Sequence, residues 1–184
     1  MRKVLVLFGQ LNDDDVEWML TAGSRRFVPA GGTLIEQGIP VDAVFILLEG
    51  KLAVWLKPRR GPEREIARLN AGEIVGEMSF VDARPPSATV RALEDATVFA
   101  ISKAVLNAKL TTDQGFAARF YRALAIYLST TVRERHRALG GAGTGEVVEE
   151  GEEDEGDELD PNGLDGVYLA GERFDRMVKR VMVS

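Results

Sequence analysis

The chain has 184 residues, 45% hydrophobic and 28% charged, with one histidine and no cysteine, which is enough for one well-buried core and short for two. The absent cysteines exclude a disulfide framework, thiolate catalysis and Cys-based zinc or iron–sulfur sites, and His136 alone offers no cluster of histidine ligands. The formal charge of −6 is unevenly spread: residues 1–145 sum to +3, and residues 146–184, with 13 acidic and 4 basic side chains, to −9. Neither part has the concentrated basic face of a duplex nucleic-acid binder, so no DNA binding is expected.

The apolar run Val4–Phe8 is too short for a signal-peptide core, and no run approaches the roughly 18 residues of a membrane span. A cytoplasmic protein without a membrane segment is expected. Asn12 or Asp13 can cap a short helix that turns Val16, Met19 and Leu20 inward. From Phe27 to Ile101 the pattern is short β runs cut by glycine: Thr33–Ile35, Ala43–Leu48, Lys51–Leu56, Arg64–Leu69, Ala88–Ala92 and Thr97–Ile101. Glu49-Gly50 and Arg59-Arg60-Gly61-Pro62 read as hairpin connections. Short strands at this spacing predict a mainly β protein, a jelly roll or barrel-like sandwich with flanking helices. Ser102 can cap a short helix through Leu106. A long helix from Gly115 to about Leu139 places Phe116, Phe120, Leu124, Tyr127, Leu128 and Val132 on one face.

At Gly140 the composition shifts to Gly140-Gly141-Ala142-Gly143-Thr144-Gly145 and then ten acidic residues between Glu146 and Asp160. Such a stretch buries too little apolar surface to offset its ordering entropy. Residues 140–166 are therefore expected as a disordered Gly-rich and acidic linker, with Pro161-Asn162-Gly163 as a turn. Beyond it, residues 167–184 carry Phe174, Met177, Val178 and Val181 at helical spacing. This short amphipathic element is expected to dock on its own chain or on a protein partner. The expected organisation is thus 1–139, 140–166 and 167–184, with the first unit keeping its fold when residues 141–184 are removed.

One segment interrupts the β pattern. In Asn70-Ala71-Gly72-Glu73-Ile74-Val75-Gly76-Glu77-Met78-Ser79, a helical turn starting at Gly76-Glu77 would aim free N–H groups at an anion. Glu77 suits a ribose hydroxyl, and Ser87 with its neighbouring amides can add donors. On residue chemistry alone Glu77 also suits a helix cap, Ser87 an edge strand, and Thr130, Thr131 and His136 a solvated helix face. The acidic run equally suits a solubilising tail.

Gly76-Glu77-Met78-Ser79 followed by Pro86-Ser87-Ala88-Thr89-Val90 resembles the phosphate-binding cassette of cyclic-nucleotide-binding domains. Phe27, Gly31, Leu34, Gly38 and the run Phe45–Val54 match further landmarks of that family, and the likeness extends from about Leu7 to Leu139. The resemblance implies a β roll (a double-stranded β-helix or jelly roll) between an N-terminal helix and a long C-terminal one. It implies a stand-alone regulatory module that binds cAMP or cGMP and needs no cofactor or metal. Carried over by motif, Glu77 bonds the ribose 2′-hydroxyl, amides at Gly76, Met78, Ser79, Ser87 and Ala88 surround the cyclic phosphate, and Thr131 approaches the base. The long helix, 115–139, is the implied homodimer interface.

The departure from the family is Pro86, which stands where binding members have the arginine that pairs with the phosphate. Proline supplies neither charge nor N–H donor, and one charge-assisted contact is worth about 1.5–3 kcal/mol, or one to two powers of ten in affinity. Arg84 is the nearby cation able to replace it. The alternative function is a degenerate domain that acts as an interaction or assembly module through its acidic tail and C-terminal element. No nucleophile–base pair stands out, so no catalytic residue and no enzyme activity are expected.

Overall fold

A computed structural model describes residues 3–141 and 161–183. In chain order the elements are α1 (Lys3–Gln10), α2 (Asp13–Ala22), β1 (Gly23–Val28), β2 (Thr33–Ile35), β3 (Ala43–Glu49), β4 (Leu52–Leu56), β5 (Arg64–Leu69), β6 (Ile74–Val75), α3 (Glu77–Val81), β7 (Thr89–Ala92), β8 (Ala96–Ser102), α4 (Lys103–Thr112), α5 (Gln114–Gly141) and α6 (Pro161–Val183). The strands form two four-stranded sheets of order β1-β8-β3-β6 and β2-β7-β4-β5, with every pairing antiparallel. This is the expected β roll with flanking helices. Among the described residues no helix is long and apolar enough to cross a membrane.

The apolar run of β3 follows from its place in the middle of three layers. Successive side chains of a strand point to opposite faces. Ala43, Phe45 and Leu47 enter the core between the sheets with Val28, Leu52, Val90 and Val98. Val44, Ile46 and Leu48 enter a second core with the helices. A strand buried on both faces reads as continuous hydrophobic sequence rather than as alternation. Gly50, after β3, has φ +87°, and a Cβ there would lie 2.5 Å from the Asp95 carbonyl oxygen, so the hairpin requires glycine.

On the helical side, Asn12 caps α2 reciprocally: its side chain accepts from the Asp15 N–H, and Asp15 accepts from the Asn12 N–H, both at 2.9 Å. Asp15, almost fully buried, also takes a two-pronged bond from Arg119 of α5 at 2.6 and 2.7 Å. This pair ties α2 to α5, with Phe116 and Phe120 stacked beside it at 5.6 Å between ring centroids.

Several elements differ from the expectations. Helix α1 was not expected; tertiary packing of Leu7, Phe8 and Leu11 into the helical core stabilises what is a short run on its own. Ser102 stands at the N-cap of α4, but its hydroxyl makes no capping bond, and the helix runs on to Thr112. Gly140 and Gly141 belong to the end of α5. Pro161-Asn162-Gly163 opens α6 rather than forming a turn, because proline is accepted in the first turn of a helix, whose N–H groups have no intrahelical acceptor. The remainder of the expected linker, residues 142–160, lies outside the described residues.

Helix α6 packs on its own chain. Ala170 and Met177 are fully buried, Val181 nearly so, and Phe174 meets Phe8 edge-on at 5.8 Å. Arg173 spans the junction: one nitrogen donates to the Phe8 and Leu11 carbonyls at 3.0 and 2.7 Å, and another to Asp13 at 2.8 Å. A cation therefore satisfies carbonyls that the end of α1 leaves open, and the same guanidinium holds the Asp13 carboxyl below its ordinary range. At the far end, Arg25 of β1 donates to the Met182 carbonyl at 3.2 Å. Ala170, Phe174, Met177, Val178 and Val181 thus join the core of the first unit, and removal of 141–184 would expose Leu7, Phe8 and Leu11. Met177→Ala should cost about 2–5 kcal/mol, read as a lowered denaturation midpoint. Amide exchange at low concentration should show strong protection across Phe174–Val181; exchange at open-chain rates would refute the docking.

Candidate ligand cavity

The cassette begins where β6 leaves β3. Ile46 pairs Ile74 and Phe45 pairs Val75, and bonds between Leu47 and both Glu73 and Gly72 extend the ladder upstream. Gly76 then turns the chain at φ +88° and ψ 2°, a left-handed conformation that favours glycine, and α3 starts at Glu77. A Cβ at Gly76 would also meet the Ala43 carbonyl oxygen at 3.1 Å. The first-turn N–H groups of α3 have no intrahelical acceptor.

Two side chains brace this short helix. The Ser79 hydroxyl donates to the Gly76 carbonyl at 3.3 Å and accepts from Lys103 Nζ at 2.8 Å. Desolvation lowers the pKa of Lys103, against the opposing charges of Asp42 and Asp82. From α5, Tyr127 closes both backbone groups of Ile74: its hydroxyl accepts from the Ile74 N–H at 3.2 Å and donates to the Ile74 carbonyl at 3.0 Å. Burial raises the pKa of this phenol well above the ordinary 10, and the charges of Glu77, Glu73 and Glu134 raise it further.

A cavity of about 380 Å³ opens at the cassette, within the size range of small-molecule sites. Gly76, Glu77, Met78, Ser79, Ser87, Ala88 and Thr131, all named from the sequence, line it together with Pro86 and Tyr127. Apolar side chains of Ile35, Val54 and Val90 form the wall toward the roll. Thr131 reaches the cavity from α5 while its hydroxyl donates to the Tyr127 carbonyl at 3.0 Å. Thr130, not among the lining residues, bonds the Ile126 carbonyl in the same way.

Arg84 is not brought to the cavity. Its guanidinium is 83% exposed and lies 3.8 Å from Asp82, whose carboxylate also accepts the Arg84 N–H. The Pro86 carbonyl accepts the Gly38 N–H at 2.9 Å, which anchors the loop to the turn after β2. Sequence reasoning did not single out Arg68, Glu73 or Glu134 of the lining, nor Lys103 behind it. Tyr127 did leave a signal: a tyrosine on an apolar helix face needs a partner for its hydroxyl once buried.

With this geometry in view, residues 25–113 match the family described as the cyclic nucleotide-binding domain. The chain is 34% identical over 95 residues to the cyclic AMP receptor protein of Thermus thermophilus, covering 52% of this chain and 44% of that protein. It is 32% identical over 99 residues to a cAMP-activated global transcriptional regulator of Salmonella typhimurium, covering 53% and 47%. The crystal structure of the Thermus thermophilus catabolite activator protein superposes with a TM-score of 0.61 at 29% identity, covering 74% of this chain and 62% of that one. A cyclic nucleotide-binding domain from Methylobacillus flagellatus shares the fold, with a TM-score of 0.70 at 22% identity and coverage of 79% and 85%. The chain carries a domain of the cyclic nucleotide-binding family, and it spans about half the length of the curated relatives it matches.

Tyr127→Phe should destabilise the fold by about 1–3 kcal/mol, because two buried backbone groups lose their partner. A phenol that binds its proton more tightly when folded contributes stability that is present below pH 10 and lost as pH rises above it. Denaturation midpoints should therefore fall more steeply above pH 10 in the parent protein than in Tyr127→Phe. Equal alkaline slopes would refute this account of Tyr127.

Proposed function

We propose that the domain is a regulatory sensor whose cavity takes up cAMP or cGMP with low affinity. The observation that carries this reading is the convergence on one cavity of the cassette, Ser87, Ala88 and Thr131. Glu77 accepts the ribose hydroxyl, the α3 amides face the phosphate, and the apolar wall receives the base. Its similarity to a cyclic AMP receptor protein and to a cAMP-activated regulator supports the ligand class. Affinity is low because the phosphate meets Pro86 and Arg84 stays outside. Titration calorimetry of the full chain tests the reading: Glu77→Gln should weaken binding, and Pro86→Arg should tighten it by up to about two powers of ten. A folded Pro86→Arg protein with no gain would mean that the cavity serves another purpose.

A second reading, an assembly module, is favoured by a separate observation. Tyr121 and Val132 on α5 are 49% and 51% exposed, and Ala125 is exposed between them. With the half-buried Leu128 they follow a 4-3-4 spacing, the period of a two-helix seam. On this reading α5 pairs with a second copy of itself. Sedimentation equilibrium should give a dimer that Tyr121→Asp combined with Val132→Asp converts to a monomer of unchanged thermal stability; a monomeric parent protein would dismiss the seam.

A further inference from the structure

Positive charge without a partner is gathered outside the cavity, on the hairpin between β4 and β5. Lys57, Arg59, Arg60 and Arg64 are exposed there, and among the described residues none of the four forms an ion pair. The carboxylates beside them are engaged elsewhere. Glu63 takes two bonds from Arg91, at 2.7 and 3.1 Å, Glu65 accepts from Arg68 Nε at 2.6 Å, and Glu36 acts on the same Arg91. The backbone that carries the four cations is held at both ends. Gln37 donates to the Lys57 carbonyl at 3.0 Å and accepts from the Lys57 N–H at 2.9 Å, and Leu56 pairs with Arg64 across the base of the hairpin. Lys57 and Arg59 also line a groove of about 650 Å³ with Thr33, Gln37 and Arg91.

We propose that this hairpin and its groove dock an acidic peptide segment of a partner protein. Like charges held on one short hairpin repel, and the fold leaves these four unneutralised. A run of carboxylates relieves that repulsion and gains charge-assisted bonds. Arginine suits this partner, because its planar fork meets both oxygens of a carboxylate at once. Strand β5 is the outermost of its sheet, so an extended peptide can continue the ladder beside Arg64. A single-stranded nucleic acid fits less well, since its bases need an aromatic face to stack on. Trp55, the one aromatic residue of the two strands, has the Arg91 guanidinium over its ring, 5.9 Å from the centroid. The chain's own acidic run, between Glu146 and Asp160, leads into α6, which packs on α1, α2 and β1, whereas the hairpin lies at the edge of the other sheet. An external segment is therefore the occupant that this surface fits.

The test is fluorescence anisotropy of the full chain at low and at high salt with three labelled probes: a peptide of alternating Glu and Ser, the same peptide with Gln for Glu, and an oligothymidylate. The Glu peptide should bind at low salt and the Gln peptide should not. High salt should weaken the binding at least about tenfold, because contacts between exposed charges are screened. Arg59→Glu combined with Arg60→Glu should abolish binding with an unchanged thermal melt, while Arg122→Glu combined with Arg133→Glu on α5 should leave it intact. Equal loss in the two double variants, or no loss in the first, would overturn the inference by making the attraction a property of overall charge. Tighter binding of the oligothymidylate than of the Glu peptide would overturn it in favour of a nucleic acid. A parent protein that binds no Glu peptide would overturn it as well, and recovery of binding once the acidic residues between Glu146 and Asp160 are changed to glutamine would reassign the hairpin to the chain's own run.

Discussion

One phenol joins the two halves of this molecule. Strand β6 is two residues long, and Ile74 within it presents an N–H and a carbonyl to the interior. Tyr127 satisfies both from α5. A buried backbone group without a partner is costly, so the position of α5 and the path of the chain into the cassette are set together. Gly76, Glu77 and α3 follow directly from that path. The cavity has its floor in the roll and one wall on the helix because this contact holds them in register.

The helix that forms this wall is itself held from behind. Asp15 completes the cap of α2 and grips Arg119 of α5, while Phe116, Phe120 and Leu124 share a core with α1 and α6. Helix α6 closes that core with Met177 and Val181, and Arg173 satisfies carbonyls at the end of α1. The wall of the cavity and the C-terminal helix therefore belong to one packed body.

The segment from Gly76 to Ala88 combines a glycine turn into a short helix with a loop whose cation, Arg84, is held away from the cavity. The left-handed glycine and the α3 amides require only main-chain geometry, and that geometry is present. The charge is different. Pro86 supplies no charge, Arg84 is drawn to Asp82, and Glu73, Glu77 and Glu134 are among the lining residues.

By itself the sequence determined the succession of short strands along the chain and the helical turn that starts at Gly76-Glu77. Continuous apolar runs, glycine punctuation and Gly76-Glu77 are local signals, and the observed strands Thr33–Ile35 and Arg64–Leu69 coincide with those predicted. The amphipathic faces of α5 and α6 were legible for the same reason: periodicity is written in consecutive residues. Tertiary structure alone decided what those faces meet. Helix α1 and the burial of Ala170, Met177 and Val181 on α6 depend on packing between segments more than 150 residues apart, as the Phe8–Arg173 contact shows with a separation of 165. The exclusion of Arg84, the gathering of Glu73, Glu77 and Glu134, and the bond from Tyr127 to Ile74 have the same origin. Charges and hydrogen bonds act through space, and their sum at a cavity exists only once distant parts of the chain have been brought together.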